Sequence, residues 1–239
     1  CWLKVDTGMN RLGVTPGSAP LFFQRLLASS NVRNEIVTCT HFASADDVMN
    51  QQTAQQLAKF DALPFPTLRS AANSAGVIGW PQAHYDWVRP GYMLYGNSPM
   101  LEPHANAHGL LPVMTLVSAV ISLRDVAAGE TVGYGGTWVA TRPSRIATVT
   151  IGYGDGYPRQ ALNNTPVLVN GQRARLAGRV SMDMITVDVT DLEHVEIGSE
   201  VVLWGEGLPL AEVADNANTI GYELTTRMPA RTPRIVVHD

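Results

Sequence analysis

Short apolar runs alternate with helical patterns along the first part of the chain. The segment Trp2–Val5 is apolar except for Lys4, and Glu35–His41 carries a second apolar run, so both are predicted to be buried strands. Between them, Ser18–Ser29 places its apolar side chains three and four positions apart, which predicts a helix. A strand, a helix and a second strand in this order indicate a βαβ unit.

The alternation continues to about residue 109. Ser44 and Asp47 form a capping-box pattern, which predicts a helix that begins there and runs toward Phe60. Thr67–Arg69 and Trp87–Arg89 are short strand candidates, each followed by a polar or glycine-bearing turn. Together these elements predict about four βα units built on a parallel sheet.

The pattern changes from about residue 111 onward. Asn170-Gly171 separates two short runs and is the strongest hairpin signal in the chain, while only Ala211–Ile220 has a helical pattern. The remaining apolar segments are strand candidates: Val113–Leu123, Ile146–Ile151, Pro166–Val169, Ile185–Val189 and Glu200–Trp204. The sequence therefore predicts two domains, residues 1–109 and a mostly antiparallel β domain over 110–239, with a boundary near 105–112.

Composition narrows the possible partners and the compartment. The net charge is −4 and no run of Lys or Arg occurs, which argues against a nucleic-acid partner. Two cysteines, Cys1 and Cys39, do not make a disulfide framework and favour a reducing compartment. The longest apolar stretch, Leu110–Leu123, is interrupted by polar residues and is shorter than the roughly 18 residues of a membrane span. These features predict a cytoplasmic protein with no membrane partner.

Two features predict that part of the folded unit lies outside this chain. The sequence starts at Cys1, in the middle of a predicted buried strand that has no preceding neighbour. Charged residues make up only 16% of the chain, against roughly 25% in an average soluble domain. We therefore expect a missing N-terminal segment, and a surface that is covered by that segment or by a partner subunit.

Polar segments follow the predicted parallel strands: Lys4–Arg11, His41, Asn73–Gly76 and Arg89–Tyr92. Because the carboxyl ends of such strands meet at one edge, these segments could line one pocket. Backbone N–H groups in the turns at Gly76 and Gly91 suit an anion, and Arg89 at a strand end needs an acceptor. Each has a structural alternative: a solvent-directed Lys4 amine, an Asp6–Arg11 ion pair, an ordinary turn at Asn73–Gly76 and a hydrogen-bonded His41.

Two glycine-rich segments of the β domain carry tyrosines, Gly133–Gly136 and Gly152–Gly156. Glycines there let a ligand or another backbone approach closely, although two ordinary β turns would also fit. A tyrosine acts as a base only when its pKa is lowered, for example by a neighbouring arginine. The residues alone do not tell whether Tyr134 or Tyr153 does chemistry.

Taken together, the motifs resemble those of the alanine racemase family, in the family's order and over nearly the whole chain. The first of them, Leu3–Gly13, is similar to the family's signature loop. The others are Thr40-His41-Phe42-Ala43, Asn73-Ser74-Ala75, Arg89-Pro90-Gly91, Leu94-Tyr95-Gly96, Val132-Gly133-Tyr134-Gly135, Ile151–Gly156, Gly178–Asp183 and Gly221-Tyr222-Glu223.

This resemblance implies a pyridoxal-phosphate enzyme, an isomerase that interconverts L- and D-alanine and supplies D-alanine for peptidoglycan. It implies the C-terminal half of a TIM-type (β/α)8 barrel followed by a mostly antiparallel β domain, in a homodimer with shared active sites. Arg89, supported by His41, would face the pyridine nitrogen. The cofactor phosphate would be held by Ser74, Gly91, Tyr92 and Tyr222.

The resemblance also implies roles around the substrate, and it implies no metal site. Tyr134 would remove the α-proton of L-alanine inside the partner subunit's barrel. Arg11 would hydrogen-bond that phenol, and Lys4, in carbamylated form, would orient Arg11. The Met182 backbone and Arg11 would bind the substrate carboxylate. Tyr153 would narrow the entrance to the substrate site, with Asp183 nearby.

The chain departs from the family in its lysines. The family needs a lysine that forms the Schiff base and serves as the second base, and this chain contains only Lys4 and Lys59. Lys4 has another implied role, and Lys59 lies in a predicted helix among polar neighbours. We therefore expect the isolated chain to be inactive as a racemase, because one face of the α-carbon would have no base.

Three alternatives stay open at this point. The chain could be a non-catalytic fragment that binds the cofactor or forms a dimer. The enzyme could racemise serine or another small amino acid, since only pocket volume separates these substrates. The chain could also belong to a barrel enzyme with the same cofactor but another reaction, such as an amino-acid decarboxylase. Such an enzyme would not be expected to combine Tyr134 with the Lys4–Arg11 loop.

Overall fold

The computed structural model of the chain describes residues 1–33 and 35–237. The chain divides into two compact units, Cys1–Leu111 and Pro112–Asp239. Within the described residues, no helix combines the length and the apolarity needed to cross a bilayer.

The first unit is built on a small parallel sheet that is covered by helices. Its strands are β1 (Trp2–Lys4), β2 (Val37–Cys39) and β3 (Leu68–Ser70), and its helices are α1 (Ala19–Leu27), α2 (Gln51–Asp61) and α3 (Ser74–Gly79). The strands pair in the order β1-β2-β3. Leu3 and Val5 are buried in one core with Phe42 and Phe60, so burial of apolar side chains fixes which face of each element points inward.

The helix predicted from Ser44 begins later than the pattern indicates. α2 starts at Gln51, where the Asn50 side chain caps it by accepting a hydrogen bond from the Gln52 N–H at 2.9 Å. Ser44 instead donates to the Gln52 side-chain oxygen at 2.7 Å, and Asp47 caps a turn of the preceding loop. The predicted capping box is therefore wrong, because Ser44 bonds a helix side chain rather than an N–H group at the helix start, and Asp47 caps the preceding turn.

The segment Trp87–Arg89 does not form a strand, contrary to the prediction. Trp87 makes a single parallel bridge with Ser70, and the Arg69 N–H on β3 donates to the Asp86 side chain at 2.7 Å. Over the described residues the parallel sheet has three strands, fewer than the expected number of βα units. The half-barrel description of this unit stays a prediction.

The second unit contains a closed antiparallel barrel and a short separate ribbon. The barrel strands are β4 (Leu116–Val126), β7 (Ser144–Val149), β8 (Pro166–Val169), β9 (Gln172–Leu176), β10 (Ile185–Asp188) and β11 (Glu200–Trp204). They pair in the order β10-β7-β4-β11-β8-β9, while β5 (Thr131–Val132) and β6 (Trp138–Val139) form the ribbon. Closure leaves the barrel without an unpaired edge, so it is a firm base for its loops.

The hairpin predicted at Asn170-Gly171 is confirmed. β8 and β9 pair antiparallel, with Val169 opposite Gln172 next to the turn. Asn170 and Gly171 have φ angles of +47° and +75°. Positive φ at both central positions is the geometry of a type I′ turn, which Asn-Gly favours.

Two further predictions for this unit need correction. β4 spans Leu116–Val126 rather than Val113–Leu123, because its polar end at Arg124 and Asp125 still pairs with β7. The helical pattern over Ala211–Ile220 corresponds to α4 (Leu210–Asn216), and a second helix, α5 (Gly221–Thr226), follows it. α5 is short and buries little apolar surface, so its sequence carries only a weak helical period.

Replacing Gly178 by alanine is expected to destabilise the protein more than replacing Gly171. Both glycines have positive φ, +103° and +75°, and an alanine there costs roughly 1–2 kcal/mol of backbone strain. A Cβ on Gly178 would also lie 2.9 Å from the Val132 carbonyl oxygen, whereas one on Gly171 meets nothing within 4 Å. The added contact should cost a further ~1–3 kcal/mol in the free energy of unfolding.

Urea denaturation of the parent, Gly178→Ala and Gly171→Ala proteins measures these free energies. Equal losses for the two variants would contradict the close approach of residues 178 and 132.

Candidate active site

Three basic or imidazole side chains lie at the carboxyl edge of the parallel sheet. Lys4 is the last residue of β1, and His41 follows the end of β2. Arg89 donates a hydrogen bond of 2.5 Å to the hydroxyl of Ser70, the last residue of β3. The order of the strands thus brings together side chains that are far apart in the sequence.

The Arg89 guanidinium is half-buried and is bound by neutral oxygens. In addition to the Ser70 hydroxyl, it donates to the Thr40 carbonyl at 2.7 Å and to the Ala71 carbonyl at 3.2 Å. Burial lowers the pKa of Arg89, yet a guanidinium keeps its proton inside proteins. Among residues 1–33 and 35–237, no carboxylate forms an ion pair with Arg89, Lys4 or Arg11. Arg89 therefore carries a positive charge that no described ion pair neutralises, whereas the charge of Lys4 contributes to the lowered pKa of the Asp6 carboxylate.

His41 lies beside this cation, with its Nδ1 atom 3.5 Å from the Arg89 Nη2 atom. Burial, followed by the positive charges of Arg89, Lys4 and Arg11, lowers the pKa of His41 to about 4. The imidazole is therefore neutral at pH 7, and its unprotonated nitrogen can accept a hydrogen bond from Arg89. The positive charges of Lys4 and Arg11 thus act on this imidazole in addition to that of Arg89.

The Lys4–Arg11 loop is organised by the side chain of Asp6. Its Oδ1 atom accepts hydrogen bonds from the N–H groups of Asn10, Gly8 and Met9, at 3.1, 2.9 and 3.0 Å. These hydrogen bonds, that of Asn10 foremost, hold the pKa of Asp6 below its ordinary value. The described ion pairs do not include one between Asp6 and Arg11, so the structural alternative of such a pair is wrong. Arg11 is exposed at the end of this loop.

Gln56 on α2, which the sequence analysis did not single out, joins this loop to the segment that carries His41. The Gln56 side chain is buried, donates to the His41 carbonyl at 3.0 Å and accepts from the Ala43 N–H at 2.9 Å. It also contacts the Thr7 hydroxyl at 3.3 Å, and that hydroxyl lies 2.7 Å from the one on Thr40. Gln56 could have been identified from the sequence as a glutamine on the buried face of an amphipathic helix, because a buried amide must find polar partners.

Ser74, at the start of α3, presents a hydroxyl that already serves as an acceptor. It is buried, and its oxygen accepts from the N–H groups of Gly91 at 2.8 Å and Met93 at 3.3 Å. Its hydroxyl proton is therefore left to donate. The space beside Gly91 is open, because a Cβ there would meet nothing within 4 Å, and Tyr92 next to it is buried.

In the second unit, Tyr134 lies on a 3-10 turn between β5 and β6 and is 69% exposed. The turn lies against the segment Gly178–Arg179, since a Cβ on Gly133 would be 3.5 Å from the Arg179 nitrogen. Arg11, the predicted partner of the phenol, belongs to the first unit. That contact therefore stays a prediction.

The loops that carry Tyr153 and Met182 are joined by backbone hydrogen bonds. The Tyr153 N–H donates to the Ser181 carbonyl at 3.0 Å, and the Gly154 N–H donates to the Met182 carbonyl at 2.8 Å. A Cβ on Gly152 would lie 2.3 Å from the Ser181 oxygen, so only glycine permits this approach. Two of the predicted substrate-site residues thus share one fixed arrangement.

Arg231 reinforces the same pair of loops, and the sequence analysis missed it. Its guanidinium donates to the carboxylates of Asp183 at 2.6 Å and Asp155 at 2.9 Å, and these hydrogen bonds raise the pKa of Arg231. Asp183 is therefore the partner of an arginine. A single arginine in an irregular segment has no periodic or motif signal that could have identified it.

Tyr222 lies on α5 and is 43% exposed. A cavity of about 190 Å³ in this unit is lined by residues that include Tyr153, Tyr157, Arg159 and Arg227. The other predicted phosphate ligands belong to the first unit, so their grouping with Tyr222 stays a prediction. The described residues contain no cluster of three or more metal-ligating side chains.

Comparison with known sequences identifies the class of protein. Residues 1–99 match the family described as alanine racemase, N-terminal domain, and residues 113–236 match alanine racemase, C-terminal domain. An alanine racemase of Aeromonas hydrophila is 50% identical over 232 residues, which are 96% of this chain and 65% of that protein. One from Shewanella baltica is 49% identical over 238 residues, 99% of this chain and 66% of that protein.

Solved structures agree with the sequence matches. The biosynthetic alanine racemase of Pseudomonas aeruginosa has a TM-score of 0.94 and 51% identity, and the match covers 99% of this chain and 66% of that one. The alanine racemase of Bartonella henselae, described with covalently bound pyridoxal phosphate, has a TM-score of 0.87 and 33% identity, with 98% and 66% covered. The chain belongs to the alanine racemase family, and it spans 65% or 66% of the length of these relatives.

The imidazole of His41 is expected to stay neutral down to about pH 4, the value to which burial and the neighbouring cations lower its pKa. An unfolded histidine takes up its proton near pH 6.5. Between these values the unfolded chain binds a proton that the folded chain does not, so His41 reduces stability as the pH falls through this window. NMR titration of the imidazole measures the midpoint.

The variant Arg89→Gln tests what lowers the pKa of His41. Because burial is the largest contribution, removal of the Arg89 charge should restore only part of the shift in the pKa of His41. A midpoint near 6.5 in the parent protein would contradict the assignment, and full recovery in the variant would mean that charge rather than burial dominates.

Proposed function

We propose that this protein is an alanine racemase that uses pyridoxal phosphate to interconvert L- and D-alanine. The observation that carries the proposal is the set of three cations, Lys4, Arg11 and Arg89, which all lower the pKa of His41 and none of which forms an ion pair with a described carboxylate. Uncompensated charge in a partly buried site favours an anionic ligand. The cofactor phosphate and the substrate carboxylate are such ligands, and membership of the family supports this reaction.

The residues around Ser74 fit a phosphate group. The hydroxyl has a proton to donate, and the open space beside Gly91 lets an oxygen approach the backbone. Tyr92 and Tyr222 would complete the phosphate ligands through their phenols. A positively charged edge close by would favour the phosphate's charge.

Arg89 and His41 fit the pyridine end of the cofactor. Pyridoxal phosphate, when bound, withdraws electron density from the α-carbon of an amino acid and so eases loss of its proton. Arg89 would hydrogen-bond the ring nitrogen as a permanent cation and disfavour its protonation, which would limit side reactions such as transamination. His41, neutral and hydrogen-bonded to Arg89, would hold the guanidinium in place.

Tyr134 would be the base that takes the α-proton from L-alanine. Its high exposure on a turn of the second unit suits a phenol that reaches into the barrel of a partner subunit in a homodimer. Arg11 would donate a hydrogen bond to the phenolate and favour its charged form. Lys4 is half-buried and forms no ion pair with a described carboxylate. In carbamylated form it would be an anion, and this anion could bind and orient Arg11.

The remaining predicted residues would select and admit the substrate. The Met182 backbone and Arg11 would bind the carboxylate of alanine. Tyr153 and Asp183 would form the entrance, held by the loop contacts and by Arg231. The D-alanine produced would serve peptidoglycan synthesis in the cytoplasm.

Phenylalanine at position 134 is expected to slow removal of the α-proton from L-alanine by about 10²–10⁴-fold, since the variant lacks the phenolic oxygen. Incorporation of solvent deuterium into L-alanine measures this step. The matched control is Tyr153→Phe, the other glycine-flanked tyrosine, which should mainly change KM. Parental exchange in Tyr134→Phe would mean that another group is the base.

Covalent trapping tests which part of the protein supplies the reactive amine. Lys59 lies in the last turn of α2, and a helix that follows a parallel strand carries its last turn back away from the strand's carboxyl end. We expect the isolated 239-residue chain to bind pyridoxal phosphate without fixation by borohydride, and to show no racemisation.

Lys59→Arg is the control for adventitious labelling in that experiment. Clear turnover by the isolated chain, or a reduced adduct on Lys4, would overturn the prediction and assign the amine to this chain.

A further inference from the structure

The turn that carries Tyr134 has little support of its own. Its neighbours β5 and β6 are only two residues long, and Gly133, Gly135 and Gly136 all have positive φ. The phenol is 69% exposed. Glycines make such a turn possible but do not fix it, because they leave the backbone many alternative conformations. Its position must therefore come from contacts with neighbouring segments.

The side chain of Asn163 supplies two of these contacts. Its Nδ2 atom donates to the carbonyl of Thr137, the residue that follows the turn, at 2.8 Å. Its Oδ1 atom accepts from the Gly178 N–H, also at 2.8 Å. Gly178 in turn lies against Val132, the residue before the turn's first glycine, because a Cβ on Gly178 would be 2.9 Å from the Val132 oxygen. One planar amide thus bonds both the residue after the Tyr134 turn and Gly178, whose backbone lies against the residue before the turn.

Asn163 can act in this way because its own backbone is fixed at the entrance to β8. The next residue, Asn164, donates its N–H to the Leu176 carbonyl at 3.0 Å. Thr165 is buried and donates its hydroxyl to the Leu162 carbonyl at 2.7 Å. The side chain is therefore presented from a segment anchored to the closed barrel.

The Asn163-Asn164-Thr165 triplet has the form of a glycosylation acceptor, but the same contacts give the Asn163 amide a structural role. The Asn163 amide nitrogen is engaged with Thr137 in the fold. Aspartate would lack this donor and would face the Thr137 carbonyl with a negative charge. The arrangement therefore requires asparagine for its paired donor and acceptor.

We propose that Asn163 is a positioning residue for Tyr134: its amide holds the turn in place and so sets the rate of proton transfer at the phenol. The inference rests on the proposed function, which assigns Tyr134 as the base. In this role Asn163 acts through the turn and not on the substrate. Misplacement of a reacting group by about 1 Å can cost about 100-fold in rate, so loss of this amide should slow the Tyr134 steps by about 10- to 100-fold.

Hydrogen exchange in the whole enzyme tests the anchoring without reference to activity. In Asn163→Ala the Gly178 amide loses its acceptor, and its exchange should accelerate by about 10-fold. The matched control is Asn164→Ala, which places an alanine at a φ of +71° and so strains the backbone without removing either contact. The control should leave exchange at Gly178 unchanged.

Isotope effects on racemisation test the positioning. If the Tyr134 steps become limiting in Asn163→Ala, the effect with α-deuterated L-alanine should rise and that with α-deuterated D-alanine should fall. A smaller fraction of folded enzyme would leave both isotope effects unchanged. Asn164→Ala is the control for this case. KM for alanine should change little, because Asn163 does not bind the substrate.

Each result separates the possibilities. Unchanged exchange at Gly178 would overturn the anchoring, and faster exchange with unchanged isotope effects would overturn the positioning of Tyr134. Parental activity in Tyr134→Phe would instead overturn the proposed function, which the exchange measurement does not depend on.

Discussion

A half-buried guanidinium held by neutral hydrogen-bond partners is the constraint on which the first unit depends. Arg89 binds the hydroxyl of Ser70 and the carbonyls of Thr40 and Ala71, so a single side chain connects the ends of β2 and β3. A buried charge is costly unless it is hydrogen-bonded, and these contacts offset part of that cost without neutralising the charge. Burial, followed by this charge, keeps His41 neutral, and the charge makes the carboxyl edge of the sheet receptive to anions.

In the second unit, exposed loops are held in place on a closed barrel. The closed barrel has no free edge, but the loops that carry Tyr134 and Tyr153 bury little apolar surface. Close backbone approach at glycines and single polar side chains hold them instead. Asn163 bridges one pair of segments, and Arg231 bridges the other. Loops of this kind are positioned by a few specific contacts, so single substitutions can displace them.

The sequence was sufficient where a local pattern has one structural solution. Asn170-Gly171 selects a type I′ turn because both positions need positive φ. It was insufficient where two residues have the same local chemistry. Ser44 and Asn50 can both cap a helix, and tertiary contacts decided for Asn50 by engaging Ser44 with Gln52. Gln56 and Arg231 act across long separations in the chain, and no local spacing reports such contacts.

The choice of polar supports in the first unit follows from its charge. Gln56 satisfies the His41 carbonyl and the Ala43 N–H with one neutral amide, next to hydroxyls that are neutral as well. A glutamate at this position could accept from Ala43, but it would compensate the positive charge of Arg89 and repel the His41 carbonyl. Around Gln56, neutral hydrogen-bonding groups thus hold the loop segments without placing a carboxylate beside Arg89. An arginine without such a carboxylate is free to bind an anion, and charge-assisted hydrogen bonds of that kind are strong.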